Sequence, residues 1–169
     1  TGAVIAFAPY ATSNELLVRN EAENNWASRV RLRNLAVSDS DAEIRAGVVA
    51  GMVVADMNGV DIVKSVKLDN LEFSKIDFVK IDIEGHEPSA LRGMQQLLKN
   101  DSPMILTEIN EYWLNRAGSS AVQYISLLRS LDYELFKLDD ELSPLGNYRP
   151  ADALENINVV GLPRSSGTG

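Results

Sequence analysis

The chain has no cysteine in its 169 residues, which excludes disulfides, thiolate metal sites and cysteine nucleophiles. It has one histidine, His86, too few for the multi-histidine sites that hold zinc. Basic residues are in deficit: 16 Lys and Arg stand against 24 Asp and Glu, a formal net charge of −8. That balance disfavours non-specific binding to nucleic acid or to an anionic membrane, because both carry negative charge themselves. No apolar run approaches the ~18 residues of a membrane span, and no signal-peptide pattern is visible. The expectation is a cytoplasmic protein without a nucleic-acid partner. Hydrophobic residues at 45% and charged residues at 24% suit one globular domain with a single core. That domain is expected over residues 1–163, with a flexible tail over 164–169.

Strand and helix patterns alternate along most of the chain. Ala3–Ala8 reads as a buried strand closed by Pro9. A helix capped by Thr12 or Ser13 follows, with Glu15 in its first turn, and Asn24-Asn25 stops it. Arg29–Val37 alternates polar with apolar, the period of a strand. Glu43–Arg45 and Met52–Ala55 are expected to pair as short strands, with Gly47, Gly51 and Gly59 at turns. Ile62–Leu68 is a further strand. A helix opened by Pro88 carries Leu91, Met94, Leu97 and Leu98 on one face until Pro103 breaks it. Met104–Asn110 is the next strand, and Ser119 or Ser120 caps a helix bearing Ala121, Ile125, Leu128 and Leu131. Tyr133–Leu138 and Ile157–Leu162 have no helix between them and are expected to pair antiparallel at a sheet edge. The loop over 139–156 is long for a structureless connection and is a candidate lid.

The stretch from Ile76 to Met94 reads as a buried parallel strand, an acidic turn and a helix. It gathers Asp82, Glu84, His86 and Glu87 at a strand's C-terminal end, the edge where open α/β sheets bind ligands. Lys80 in mid-strand is expected to be buried and paired with a carboxylate such as Glu108. Glu84 and Glu87 are open to two roles, site carboxylates or partners for the N–H groups opening the helix. Histidine titrates nearest neutrality, so His86 is either a general base or a hydrogen-bonded turn residue.

The block Asp77-Phe-Val-Lys-Ile-Asp-Ile-Glu-Gly-His-Glu87 with Leu91-Arg-Gly93 resembles the FkbM-type family of S-adenosylmethionine-dependent methyltransferases. The likeness continues in Ala6-Phe-Ala-Pro9, Ala36-Val-Ser-Asp39, Val66–Leu71, Pro103–Glu108, Leu131–Phe136 and Asn158–Pro163. It implies a Rossmann-like class I methyltransferase α/β sheet, mostly parallel, with an antiparallel C-terminal edge strand. The family's first strand–helix unit, with its Gly-rich cofactor loop, is expected to be missing. A partner chain, a second copy or residues outside this sequence would then complete the sheet.

The resemblance also implies roles. Ala8, Pro9, Ser38, Asp39 and Asp82 fall at cofactor-binding positions, Ser38-Asp39 toward the adenine and Asp82 near the sulfonium. Asp82, Glu84 and His86 become the catalytic candidates, and Glu108, Asn110 and Tyr112 the acceptor-binding ones. Tyr112 and Trp113 are also readable as core aromatics, the reading favoured for Trp113. Where the family pattern has Phe-Glu-Pro this chain has Phe7-Ala8-Pro9. The family's Glu would accept from both ribose hydroxyls, at roughly 1.5–3 kcal/mol per charged bond, and Ala8 cannot. No metal is expected at Asp82, Glu84 and Glu108. The implied activity is O-methylation of a sugar or small-metabolite hydroxyl with S-adenosylmethionine as cofactor. The alternative is a non-catalytic remnant or interaction module. A nicotinamide oxidoreductase is disfavoured because the chain has no Gly-x-Gly-x-x-Gly.

Overall fold

A computed structural model describes residues 2–49, 52–55, 59–146 and 156–164. The chain forms two compact units, Thr1–Lys67 and Leu68–Gly169.

In the first unit, β1 (Val4–Phe7) and β2 (Val30–Arg33) pair in parallel through α1 (Ala11–Glu23). The helix starts a residue or two before the expected caps, so Thr12 and Ser13 lie within it. The Asn14 amide does the tying instead, donating to Ala8 O at 2.6 Å and Tyr10 O at 2.8 Å. Asn24 ends the helix, and Asn25 adopts a positive φ of 56°. The alternating run over 29–37 is not one strand: β3 (Ala36–Val37) joins a second sheet. Periodicity reports a strand's pleat and says nothing about its partner. That sheet has the order β3-β6-β4-β5, built from β4 (Ala42–Val49), β5 (Met52–Ala55) and β6 (Asp61–Val66). As expected, β4 and β5 pair antiparallel, but Gly47 sits inside β4 opposite Val54 rather than at a turn. Gly51 lies outside the described residues. Buried Ser65 donates to Ser40 O at 2.8 Å, and the Lys67 amide donates to Asp41, pinning the polar turn after β3.

In the second unit, a 3₁₀ turn (Leu68–Asn70) precedes β7 (Phe78–Ile81), α2 (Glu87–Arg92), α3 (Gln95–Asp101) and β8 (Met104–Ile109). The chain continues with α4 (Glu111–Arg116), α5 (Ala121–Ser130), β9 (Tyr133–Lys137) and β10 (Ile157–Pro163). The helix opened by Pro88 is split in two. Met94 leaves helical geometry (φ −131°, ψ 23°), and Asp69 accepts from the amides of Gln96 and Leu97, capping the new start from a distance. Leu91, Met94 and Leu98 are buried as their spacing predicts. Ser120 is the cap of α5, its side chain accepting from the Gln123 amide.

The sheet order is β7-β8-β10-β9, with β7 parallel to β8 and β10 antiparallel to both neighbours. The last two strands pair antiparallel as expected, but β9 takes the edge and β10 lies between β8 and β9. Among the described residues, four of the seven strand pairings are antiparallel. The sheets are therefore mixed, against the expectation of a mostly parallel one. Leu91, Ile105, Ile109, Leu128 and Val159 fill the core, and the Tyr133 hydroxyl reaches Pro103 O at 2.9 Å. The first part of the loop after β9 packs down: Leu145 is buried, and Arg129 donates to the carbonyls of Leu145 and Gly146. The rest of the candidate lid (147–155) and tail residues 165–169 lie outside the described residues. No described helix is long and apolar enough to cross a membrane.

Candidate active site

β7 ends at Ile81, so the alternation that would put Lys80, Asp82 and Glu84 on one face stops short of Glu84. The chain then turns through two left-handed residues, Glu84 (φ 53°) and Gly85 (φ 95°). Only glycine fits the second: a Cβ there would run into the carbonyl of Trp113, and the φ itself disfavours one. Glu87 holds this turn from inside. It is 3% exposed and accepts from the amides of Ile83 (3.0 Å) and Gly85 (3.2 Å). Burial raises its pKa, and those amide bonds oppose the rise. Glu87 thus accepts from amides of the turn before α2, not from the N–H groups that open the helix.

Asp82 is exposed and pairs with Lys80 at 2.7 Å. Lys80 is exposed too, so the expected buried pair with Glu108 is corrected: the strand end leaves both charges at the surface, where the nearest acid is two residues away. Such a pair contributes about 1 kcal/mol or less. Glu84, like Glu87, has a raised pKa. Burial raises its pKa first, then repulsion from Glu108, Asp82 and Glu87. The structure thus puts Glu84 in the field of Glu108, Asp82 and Glu87. His86 faces a separate cavity of about 300 Å³ beside α2, whose walls include none of those acids. Among the described residues no three acids or histidines come together as metal ligands.

After β8, the Asn110 side chain caps α4 by accepting from the Trp113 amide at 3.3 Å. Tyr112 is 60% exposed and packs edge-on against Trp113, which is a core residue at 6%. Sequence reading missed α4 and the role of Glu111, whose Oε2 accepts from the Ala121 amide at 2.6 Å and anchors the start of α5. Asn110 followed by an acid was the available signal, a cap with its first-turn carboxylate. The buried bond between Thr107 and Tyr124 at 2.7 Å had no local signal.

The remaining candidates belong to the first unit, at the ends of β1 and β3. The Ala8 amide donates to Arg33 O and its carbonyl accepts from Asn14. Pro9 follows it. The Ser38 amide donates to Val66 O, and its hydroxyl lies 3.4 Å from the carboxylate of exposed Asp39. Asp39 and Asp82 are carboxylates at strand ends and suit hydroxyl, amine or sulfonium groups. Ala8 offers no side-chain acceptor for the ribose hydroxyls that the family resemblance would bring to it.

The sequence matches the Methyltransferase FkbM domain over residues 1–135. The chain belongs to the FkbM methyltransferase family. Its fold is similar to that of the crystal structure of Methyltransferase FkbM from Methylobacillus flagellatus KT, with a TM-score of 0.59 at 17% identity. The alignment covers 94% of this chain and 36% of that one, so the chain spans about a third of that protein's length. Among curated proteins, none matches the sequence. The acidic turn after β7 lies within the part of this FkbM-family chain that the domain matches.

Proposed function

We propose that this chain is an S-adenosylmethionine-dependent O-methyltransferase whose acceptor is a hydroxyl of a sugar or small metabolite. The reading treats residues 1–163 as one methyltransferase-like domain. The observation that supports it is the turn after β7, which carries Asp82, Glu84 and His86 and puts Glu84 in the field of Glu108 from β8, in an FkbM-family chain. S-adenosylmethionine, when bound, supplies a methyl group already activated by its sulfonium. This chain's own work is then positioning and charge placement. Asp82 contributes negative charge at the strand end. Asp82, Glu84 and His86 are the proposed catalytic groups, and of these we assign the acceptor hydroxyl's proton to Glu84 or His86. Glu108, Asn110 and Tyr112 supply polar and aromatic surface for the acceptor.

His86→Ala and Glu84→Gln, assayed for methyl transfer to a panel of sugars, distinguish the two bases. The base should lose about 10²–10⁴ in turnover, and a residue whose loss costs only a few-fold leaves the mechanism. Ala8 favours a second reading, a methyltransferase-like module without cofactor binding. Calorimetric titration with S-adenosylhomocysteine separates them: saturable heat supports the enzyme, and no heat at millimolar ligand supports the module.

A further inference from the structure

The cavity beside α2 differs in chemistry from the acidic turn. It lies where α2 meets the α4–α5 connection, and its polar wall is His86, Ser89, Arg92, Ser119 and Gln123. The other lining residues are small or apolar, among them Gly85, Ala117 and Gly118, which leave the space open. None of the lining residues is acidic, in a chain where acids outnumber bases 24 to 16. The Arg92 guanidinium donates to Ser89 Oγ at 3.0 Å, which orients its planar fork of N–H donors. Ser119 Oγ donates to Gln123 Oε1 at 3.3 Å, so the other polar atom of Gln123 is its amide nitrogen, a donor. Donors and one fixed cation converge on a space the size of a small-metabolite site.

We propose that this cavity binds the oxyanion of a small hydroxylated metabolite, a carboxylate or a phosphate, through Arg92, Ser89 and Gln123, with Ser119 orienting the Gln123 amide and a ligand hydroxyl beside His86. A planar carboxylate or a phosphate accepts two parallel N–H bonds from a guanidinium. The Gln123 amide nitrogen and the Ser89 hydroxyl complete the donor set, and His86 lines the same cavity. That the ligand is also the methyl acceptor rests on the reading above; its binding does not.

Isotope-labelled chain titrated with glucuronate, inorganic phosphate or methyl glucoside, without cofactor, tests this by amide chemical shifts. Glucuronate or phosphate should give saturable shifts at Ser89, Arg92, Ser119 and Gln123, the tighter of the two naming the anion. Methyl glucoside should bind far more weakly. Arg92→Gln should weaken the anion by about tenfold or more, and Gln123→Leu should weaken it less. Both side chains are exposed, and the dispersed spectrum of each variant reports that it is folded. Equal response to the neutral sugar, unchanged affinity in Arg92→Gln, shifts confined to other residues, or no saturable shift would each overturn the proposal. A chain that binds glucuronate but not S-adenosylhomocysteine keeps this cavity and loses the methyltransferase reading; the reverse result does the opposite.

Discussion

Glu87 sits 3% exposed behind the turn, accepting from the Ile83 and Gly85 amides, in the field that Tyr124 also feels. Burial raises its pKa above the ordinary 4.5. Between 4.5 and that raised value the folded chain holds more protons than the unfolded one, so stability falls as pH rises through the window. Glu84 adds the same sign, more weakly because it is better solvated. Urea midpoints measured across that window should therefore fall less steeply with rising pH in Glu87→Gln than in wild type. Glu87→Ala should be worse at every pH, since each turn amide left without its acceptor costs about 1–3 kcal/mol. At this scale the sequence showed that acids crowd the turn. It did not show which one faces inward, because Asp82, Glu84 and Glu87 lie within six residues and only the bend at Glu84 and Gly85 separates their directions.

The helix α4 is six residues long, below the length at which periodicity is readable, and its signal was confined to its cap. Asn110 is a candidate for acceptor binding, and its side-chain oxygen also accepts from the Trp113 amide. Asn110→Ala should lower stability by about 1 kcal/mol, and Ser120→Ala at the start of α5 by a similar amount. Both should move the denaturation midpoint at unchanged slope. If Asn110→Ala left stability unchanged while acceptor affinity dropped, its site role would outweigh the cap. Other elements were legible because their signals are local. The apolar spacing of Leu91, Met94 and Leu98 marked the buried face, although Asp69, capping from outside, broke that helix into two.

For the whole molecule, the net charge of −8 is the property with the clearest consequence. The chain should not shift duplex DNA in an electrophoretic assay at physiological salt, because counterion release requires cationic surface that the chain lacks in net terms. Retarded DNA that persists as salt is raised would contradict this. FkbM membership rests on blocks spread along residues 1–135 rather than on any one residue. Lys80-Ile-Asp-Ile-Glu-Gly85 marked the family in the sequence because a strand, a left-handed glycine turn and a helix start each constrain residue type locally.

The sequence by itself determined which chemistries are excluded, where most strands and helices lie, and which family the chain resembles. Those properties depend on composition, on periods of two and 3.6 residues, and on caps, all of which act over a few neighbours. Only the tertiary structure decided that β10 inserts between β8 and β9, that Lys80 pairs with Asp82 at the surface, and that Glu108 joins the field around Glu84. It also placed His86 in the wall of a cavity with Arg92, Ser119 and Gln123 rather than among the acids it follows in the chain. Strand partners and the electric field at a carboxylate are set by groups that folding brings together from 20 or more residues away, and no local pattern encodes that distance.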